Sequence, residues 1–189
     1  LYSTSDFKKN LKILIDDQPY AIVDFQHVKP GKGNQFTRTK LRNMITGSNL
    51  EKTFKSGEKF GVPDVSTRDC DFLYSDDTGY LFMDKESYDQ HTVQAKDLGD
   101  AVNYLVENLP STLLFFNGRA IGIDLPNTVI LQVKQTDPGL KGNTVTGGSK
   151  PATLETGFVI NVPLHINEGD SLKIDTRTGA YMERANRKS

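Results

Sequence analysis

Short apolar runs separated by turn residues recur along the whole chain, the pattern of a nearly all-β protein. Leu11–Ile15 reads as a strand ended by Asp16-Asp17-Gln18-Pro19. Tyr20–Val28 follows, with Ala21, Val23 and Phe25 on one face and Asp24 and Gln26 on the other. After the tight loop Lys29–Asn34, Gln35–Arg42 returns to complete a long hairpin, and Gly47-Ser48-Asn49 makes the next turn. Thr67–Tyr74 and Tyr80–Asp84 flank the loop Ser75–Gly79. Thr112–Phe116 and Arg119–Asp124 flank Asn117-Gly118, the strongest short hairpin signal. Between these hairpins Leu98, Val102, Leu105 and Leu109 recur at helical spacing and predict one helix over about Asp97–Leu109. Val129–Thr136, Phe158–Ile166, Asp170–Asp175 and Ala180–Arg184 read as the last strands.

Strands with one inserted helix fit an OB-like barrel for the middle of the chain. Breaks near Pro63 and Pro126-Asn127 divide the chain into 1–63, 64–127 and 128–189, each near the lower size limit for an independent core. Three small β-barrels side by side is the resulting architecture. Charge follows the same division. The net charge of −1 conceals +5 over 1–63, −8 over 64–127 and +2 over 128–189. A basic first third beside an acidic middle third implies surfaces for different partners.

Composition narrows the class further. One cysteine, Cys70, excludes an internal disulfide and fits a reducing, cytoplasmic setting. No apolar stretch approaches a membrane span, and no signal-peptide pattern opens the chain. The chain starts at Leu1 rather than Met, so a few native residues are expected before it. The closing residues Ala185–Ser189 are polar and are expected to fray.

The first candidate for chemistry is Lys29-Pro30-Gly31-Lys32-Gly33. Glycines on both sides of Lys32 leave a thin hairpin tip with the lysine as its most protruding group. That shape suits a narrow, negatively charged cavity, although most Gly-Lys-Gly loops are solvated turns. The second candidate is the returning strand, where Arg38, Lys40 and Arg42 alternate and share a face. With Lys29 and Lys32 they form a basic stripe suited to a phosphate backbone, and an ordinary solvated sheet face fits them equally well. At the C-terminal hairpin Arg177, Tyr181 and Arg184 suit RNA or a solvated turn alike. Enzyme signals are poor. His27, His91 and His165 lack metal spacing, and no nucleophile–base pair stands out. The acidic cluster Asp69, Asp71, Asp76 and Asp77 lacks the order of a calcium loop. The string Gly142…Gly147-Gly148-Ser149-Lys150 holds the letters of a phosphate loop in the wrong order and reads as a loop between strands. No metal or cofactor is expected.

Several of these strings resemble one family. Val28-Lys29-Pro30-Gly31-Lys32-Gly33 with Phe36 and Thr39-Lys40-Leu41-Arg42 is similar to the tip hairpin of the elongation factor P family, as is Leu50-Glu51-Lys52-Thr53-Phe54. More specific are Asp137–Gly142, Lys150–Gly157, Val162-Pro163-Leu164, Gly169-Asp170 and Asp175–Gly179, which resemble the family's C-terminal part. The resemblance spans essentially the whole chain.

It implies an SH3-like, KOW-type N-terminal domain followed by two OB-folds. It implies a monomer that binds the ribosome between the peptidyl-tRNA and exit sites and relieves stalling at consecutive prolines. The tip would lie near the CCA end of the peptidyl-tRNA. Lys32 stands where the family carries a modification, often a β-lysyl group in lineages with this loop, so a Lys32-modifying enzyme is an implied partner. The other readings are a paralogue with shifted preference, a general RNA-binding or ribosome-assembly barrel, and an enzyme on a β-barrel scaffold.

Overall fold

The computed structural model describes residues 1–139 and 148–185. Its residues gather into two compact units, Leu1–Thr67 with Leu114–Gly122, and Arg68–Leu113 with Ile123–Ser189.

The first unit is built on an antiparallel meander. Strands β1 (Tyr2–Ser3), β2 (Lys12–Ile15), β3 (Gln18–Val28), β4 (Phe36–Asn43), β5 (Asn49–Lys55) and β6 (Lys59–Phe60) follow one another. β2 to β5 pair in chain order, and β1 pairs with β6. The β2–β3 turn places Asp16 and Asp17 at φ 52° and 60°, the twist that a two-residue hairpin needs. Phe7, Leu11, Ile13, Ile22, Leu41, Phe54 and Phe60 form the core. Each such side chain contributes roughly 1.5–3 kcal/mol on leaving water. Phe7 binds this cluster together, with ring centroids 6.2 Å from Phe54 and 5.6 Å from Phe60.

One sequence expectation changes here. The alternation predicts Ala21, Val23 and Phe25 on a common face. The register between β3 and β4 shifts between Ile22 and Asp24, a bulge that inserts Val23 as an extra residue. Ile22 before the bulge and Phe25 after it therefore both meet the core, while Val23 is 48% exposed. The phase of a strand is set by its pairing, so a bulge is invisible to alternation alone.

The middle strands are β7 (Val65–Asp76), β8 (Gly79–Asp84), β9 (Gln90–Val93), β10 (Pro110–Phe116) and β11 (Arg119–Asp124), in the order β11-β10-β7-β8-β9. The β10–β11 turn forms at Asn117-Gly118 as expected, both at positive φ. The expected helix is much shorter. Only Ala95–Leu98 (α1) is α-helical, and Gly99–Asn103 continues as a 3-10 stretch. Gly99 at φ 57°, ψ −134° stops the helix, a conformation that helical backbone does not pass through. Leu98, Leu105 and Leu109 are buried all the same. Their spacing reports burial rather than a continuous helix.

The last five strands are β12 (Thr128–Thr136), β13 (Ser149–Leu154), β14 (Val159–Pro163), β15 (Ser171–Asp175) and β16 (Tyr181–Ala185), ordered β14-β13-β12-β15-β16. The edge strands β14 and β16 approach one another, which curls the sheet toward closure. Leu131, Leu154, Ile166, Leu172 and Ile174 fill it, none of them exposed. Lys150, the end of the phosphate-loop-like string, is buried in β13, and its Nζ donates to the carbonyls of Asp137 and Ile166. Gly142 and Gly147 lie outside the described residues, as do 186–189 of the closing segment expected to fray; Ala185 belongs to β16.

Contacts within the second unit join its middle and last strands. The rings of Tyr104 and Phe158 meet edge to face at 5.5 Å. Thr156 Oγ1 donates to the Asn103 carbonyl at 2.6 Å, and Thr176 Oγ1 to that of Pro126 at 2.5 Å. No helix among the described residues is long and apolar enough to cross a membrane.

Candidate nucleic-acid interface on the N-terminal hairpin

β3 and β4 pair from Tyr20↔Asn43 to Val28↔Phe36, and β5 pairs with β4 as far as Lys55↔Phe36, so the loop 29–35 joins two strands at the end of this sheet. The whole loop is exposed, Lys29, Pro30, Gly31, Lys32 and Gly33 included. Gly33 takes φ 102°, which an L side chain adopts only under strain. A Cβ on Gly31 or Gly33 would meet nothing within 4 Å. The thinness of the tip is therefore not required by packing inside this chain. Where the loop rejoins the sheet, the Gln35 carbonyl accepts the Ser56 N–H at 3.1 Å.

Below the tip, β4 alternates without interruption. Thr37, Thr39, Leu41 and Asn43 are buried, and Arg38, Lys40 and Arg42 are exposed. The three cations thus share one face, as their spacing predicts. Their surroundings differ. Lys40 is in register with Asp24 on one side and Glu51 on the other. Arg42 is in register with Ala21, which pairs in turn with Lys12. The Lys12 ammonium is held below its ordinary value by burial and by the nearby Arg42 charge, and it donates to Asn10 Oδ1 at 2.7 Å. Arg38 lies over the Phe36 ring, its Cζ 5.9 Å from the centroid. The stripe is thus interrupted by an acidic pair at its middle. Finding Lys12, Asp24, Glu51 and Lys55, the last in register with Phe36, on this face required the strand register.

His27 turns to the hairpin itself. Its Nδ1 is 2.9 Å from Thr37 Oγ1, and its ring meets Phe25 at 5.4 Å.

The C-terminal candidates are arranged differently. Arg177 is bound to Asp175 through both Nε and Nη2, at 3.2 and 3.1 Å. Hydrogen bonds from Arg177 hold the Asp175 carboxyl below its usual range, and the same contact raises Arg177. Tyr181 is half-buried and lines a groove of about 690 Å³ with Phe158, Ile160 and Val162. Arg184 is exposed on β16, in register with Leu172. Arg177 therefore serves its own turn first.

Among the described residues, no group of three or more His, Cys, Asp or Glu is placed to hold a metal. Cys70 is fully buried, and burial, with Asp84 second, pushes its thiol up to about 11. A thiol so placed is a poor nucleophile.

Comparison with known proteins matches the chain in three consecutive stretches. The elongation factor P KOW-like domain matches residues 3–60, the elongation factor P OB domain 65–123, and the elongation factor P C-terminal domain 129–184. An elongation factor P of Bdellovibrio bacteriovorus is 62% identical over 188 residues, covering 100% of both chains. One of Pelotomaculum thermopropionicum is 54% identical over 184 residues, covering 97% of this chain and 100% of its own. Among solved structures, a eukaryotic translation initiation factor 5A from Methanococcus jannaschii shares the fold over 66% of this chain and 92% of its own, with a TM-score of 0.51 at 19% identity. The all-β architecture, with a KOW-like module followed by OB-type modules, agrees with these matches. With three family models in chain order and relatives more than half identical along its length, the chain belongs to the elongation factor P family of translation factors.

Proposed function

We propose that this factor acts in the cytoplasm on ribosomes stalled at consecutive prolines, binding beside the peptidyl-tRNA and bringing Lys32 to the CCA end. It works as a monomer of three modules, 1–63, 64–127 and 128–189. The first approaches the tRNA, and the last faces the small subunit through Arg177, Tyr181 and Arg184. The observation that carries this reading is the exposed, thin tip whose two glycines have no packing role in the chain.

Proline constrains the nascent chain through its fixed φ and attacks as a hindered secondary amine. Peptide-bond formation depends on the orientation of the reacting groups, and misalignment alone slows it by orders of magnitude. A factor that holds the tRNA end in position speeds the reaction without supplying an acid or a base. Lys32 offers a compact, mobile ammonium for phosphate or ribose oxygens. Arg38, Lys40 and Arg42 anchor the hairpin on the tRNA backbone, an attraction that weakens with salt. A dedicated enzyme extends Lys32, with a β-lysyl group as the expected addition.

The test is translation of a polyproline message with and without the protein. Lys32→Ala is expected to abolish the acceleration while the unfolding free energy stays within about 0.5 kcal/mol, as for an exposed loop residue. A Lys32→Ala protein that accelerates as well as the parent sinks the proposal. Peptide mass spectrometry of the protein from its native host identifies the addition on Lys32.

A further inference from the structure

Residues 1–63 contain five phenylalanines, and four of them explain themselves. Phe7 meets Phe25, Phe54 and Phe60 at centroid distances of 6.3, 6.2 and 5.6 Å, and Phe54 meets Phe60 at 4.7 Å. Phe36 is the exception. It is in phase with exposed Arg38, Lys40 and Arg42, opposite the buried Thr37, Thr39 and Leu41. It belongs neither to the core cluster nor to the half-buried side chains packed against it. Its register partners are Val28 on β3 and Lys55 on β5, and the Arg38 guanidinium lies over its ring. The tip loop with Lys29 and Lys32 begins one residue beyond Val28.

Phe36 is half-buried, and an aromatic ring partly open on the solvent side of a sheet and bordered by cations has the chemistry of a nucleobase platform. The ring stacks on any base, and the cations take the adjoining phosphates. We propose that Phe36, with Arg38 and Lys55, is a stacking platform for an unpaired nucleobase of an RNA end. The charges also give the site a direction. Asp24 and Glu51, in register with Lys40, offset part of its charge, so the tip side of the face, with Arg38, Lys55 and the loop lysines, is its more strongly positive end. The inference rests on the proposed tRNA reading and adds a contact to it: the tip lysine and Phe36 hold the same strand at two points.

The chain contains no tryptophan, so Phe36→Trp installs a single tryptophan at the platform, excited apart from the seven tyrosines. The probes are an RNA hairpin with an unpaired 3′ tail ending in CCA and its blunt-ended counterpart, titrated into the full chain. Saturable quenching by the tailed hairpin alone supports the platform. Equal quenching by both places the contact on the duplex, and absence of quenching removes it; either result overturns the proposal. The second measurement is polyproline translation by Phe36 variants. Phe36→Tyr and Phe36→Trp are expected to retain activity, and Phe36→Leu to lose roughly 5- to 100-fold, the equivalent of one base–aromatic stack. Full activity of a folded Phe36→Leu reduces Phe36 to an apolar cover over Val28 and overturns the proposal. If the parent protein itself gives no acceleration, the translation reading falls and the fluorescence result still decides the platform.

Discussion

The tip loop 29–35 and the turn at Asp175–Ala180 both join neighbouring strands, and both contain a lysine or arginine and a glycine at positive φ. They are built on opposite principles. In the C-terminal turn, Gly179 N–H donates to the Asp175 carbonyl at 2.7 Å and Asp175 N–H to that of Ala180 at 3.0 Å. Arg177 is tied to the Asp175 carboxylate, and a Cβ on Gly179 would sit 3.1 Å from the Tyr104 hydroxyl and 3.2 Å from the Phe158 ring. At the tip the corresponding space is empty, and Lys32 is exposed. A glycine hemmed in by its own chain is explained by folding. Gly33 is explained by its φ of 102°, and Gly31, in open space and outside the left-handed region, by neither packing nor backbone strain.

The largest stability effect that tests this contrast is Gly179→Ala. Its φ of 78° and the tight approach to two aromatic side chains lead to a loss of about 2 kcal/mol, read from urea unfolding. Gly33→Ala follows, at about 1 kcal/mol, because φ 102° strains any side chain although the space is free. Gly31 lies outside the left-handed region and in open space, so Gly31→Ala is expected within about 0.5 kcal/mol of the parent. The same variant thickens the tip, and its polyproline activity is expected to fall several-fold. Unchanged activity would erase the distinction between the two turns.

The smallest effect belongs to Asp175→Asn and is seen through pH. Contact with Arg177 lowers the folded-state pKa of Asp175. The stabilisation is therefore present above about pH 4, the ordinary carboxylate range, and is lost as pH falls through the lowered folded value. Parent and variant urea midpoints should differ slightly at pH 7 and converge near pH 2. A gap that stays constant across this range shows that the ion pair contributes nothing through ionisation.

Alternation and turn residues made most strands legible: the Asn117-Gly118 hairpin formed where the residues put it, and Arg38, Lys40 and Arg42 emerged on one face. Three features did not emerge. The Val23 bulge changes which face a residue takes, and alternation assumes a register that only pairing sets. The helix over 97–109 shrank because leucine spacing records burial, while Gly99 sets the local backbone. The string ending at Lys150 reads as a loop between strands in sequence, whereas Lys150 lies in β13 and two carbonyls distant from it in the chain hold it inside.

What the residues determine alone is local. Glycines flanking Lys32 make a thin tip, paired positive-φ residues make tight hairpins, and period-two alternation divides β4 into a buried and a charged face. What the tertiary structure decides is which strands lie beside one another. Register brings Asp24 and Glu51 to Lys40, and Lys55 to Phe36, from positions 11 to 19 residues away in sequence. Coulomb and stacking energies depend on distance in space, so the character of that face exists only once β3, β4 and β5 are paired.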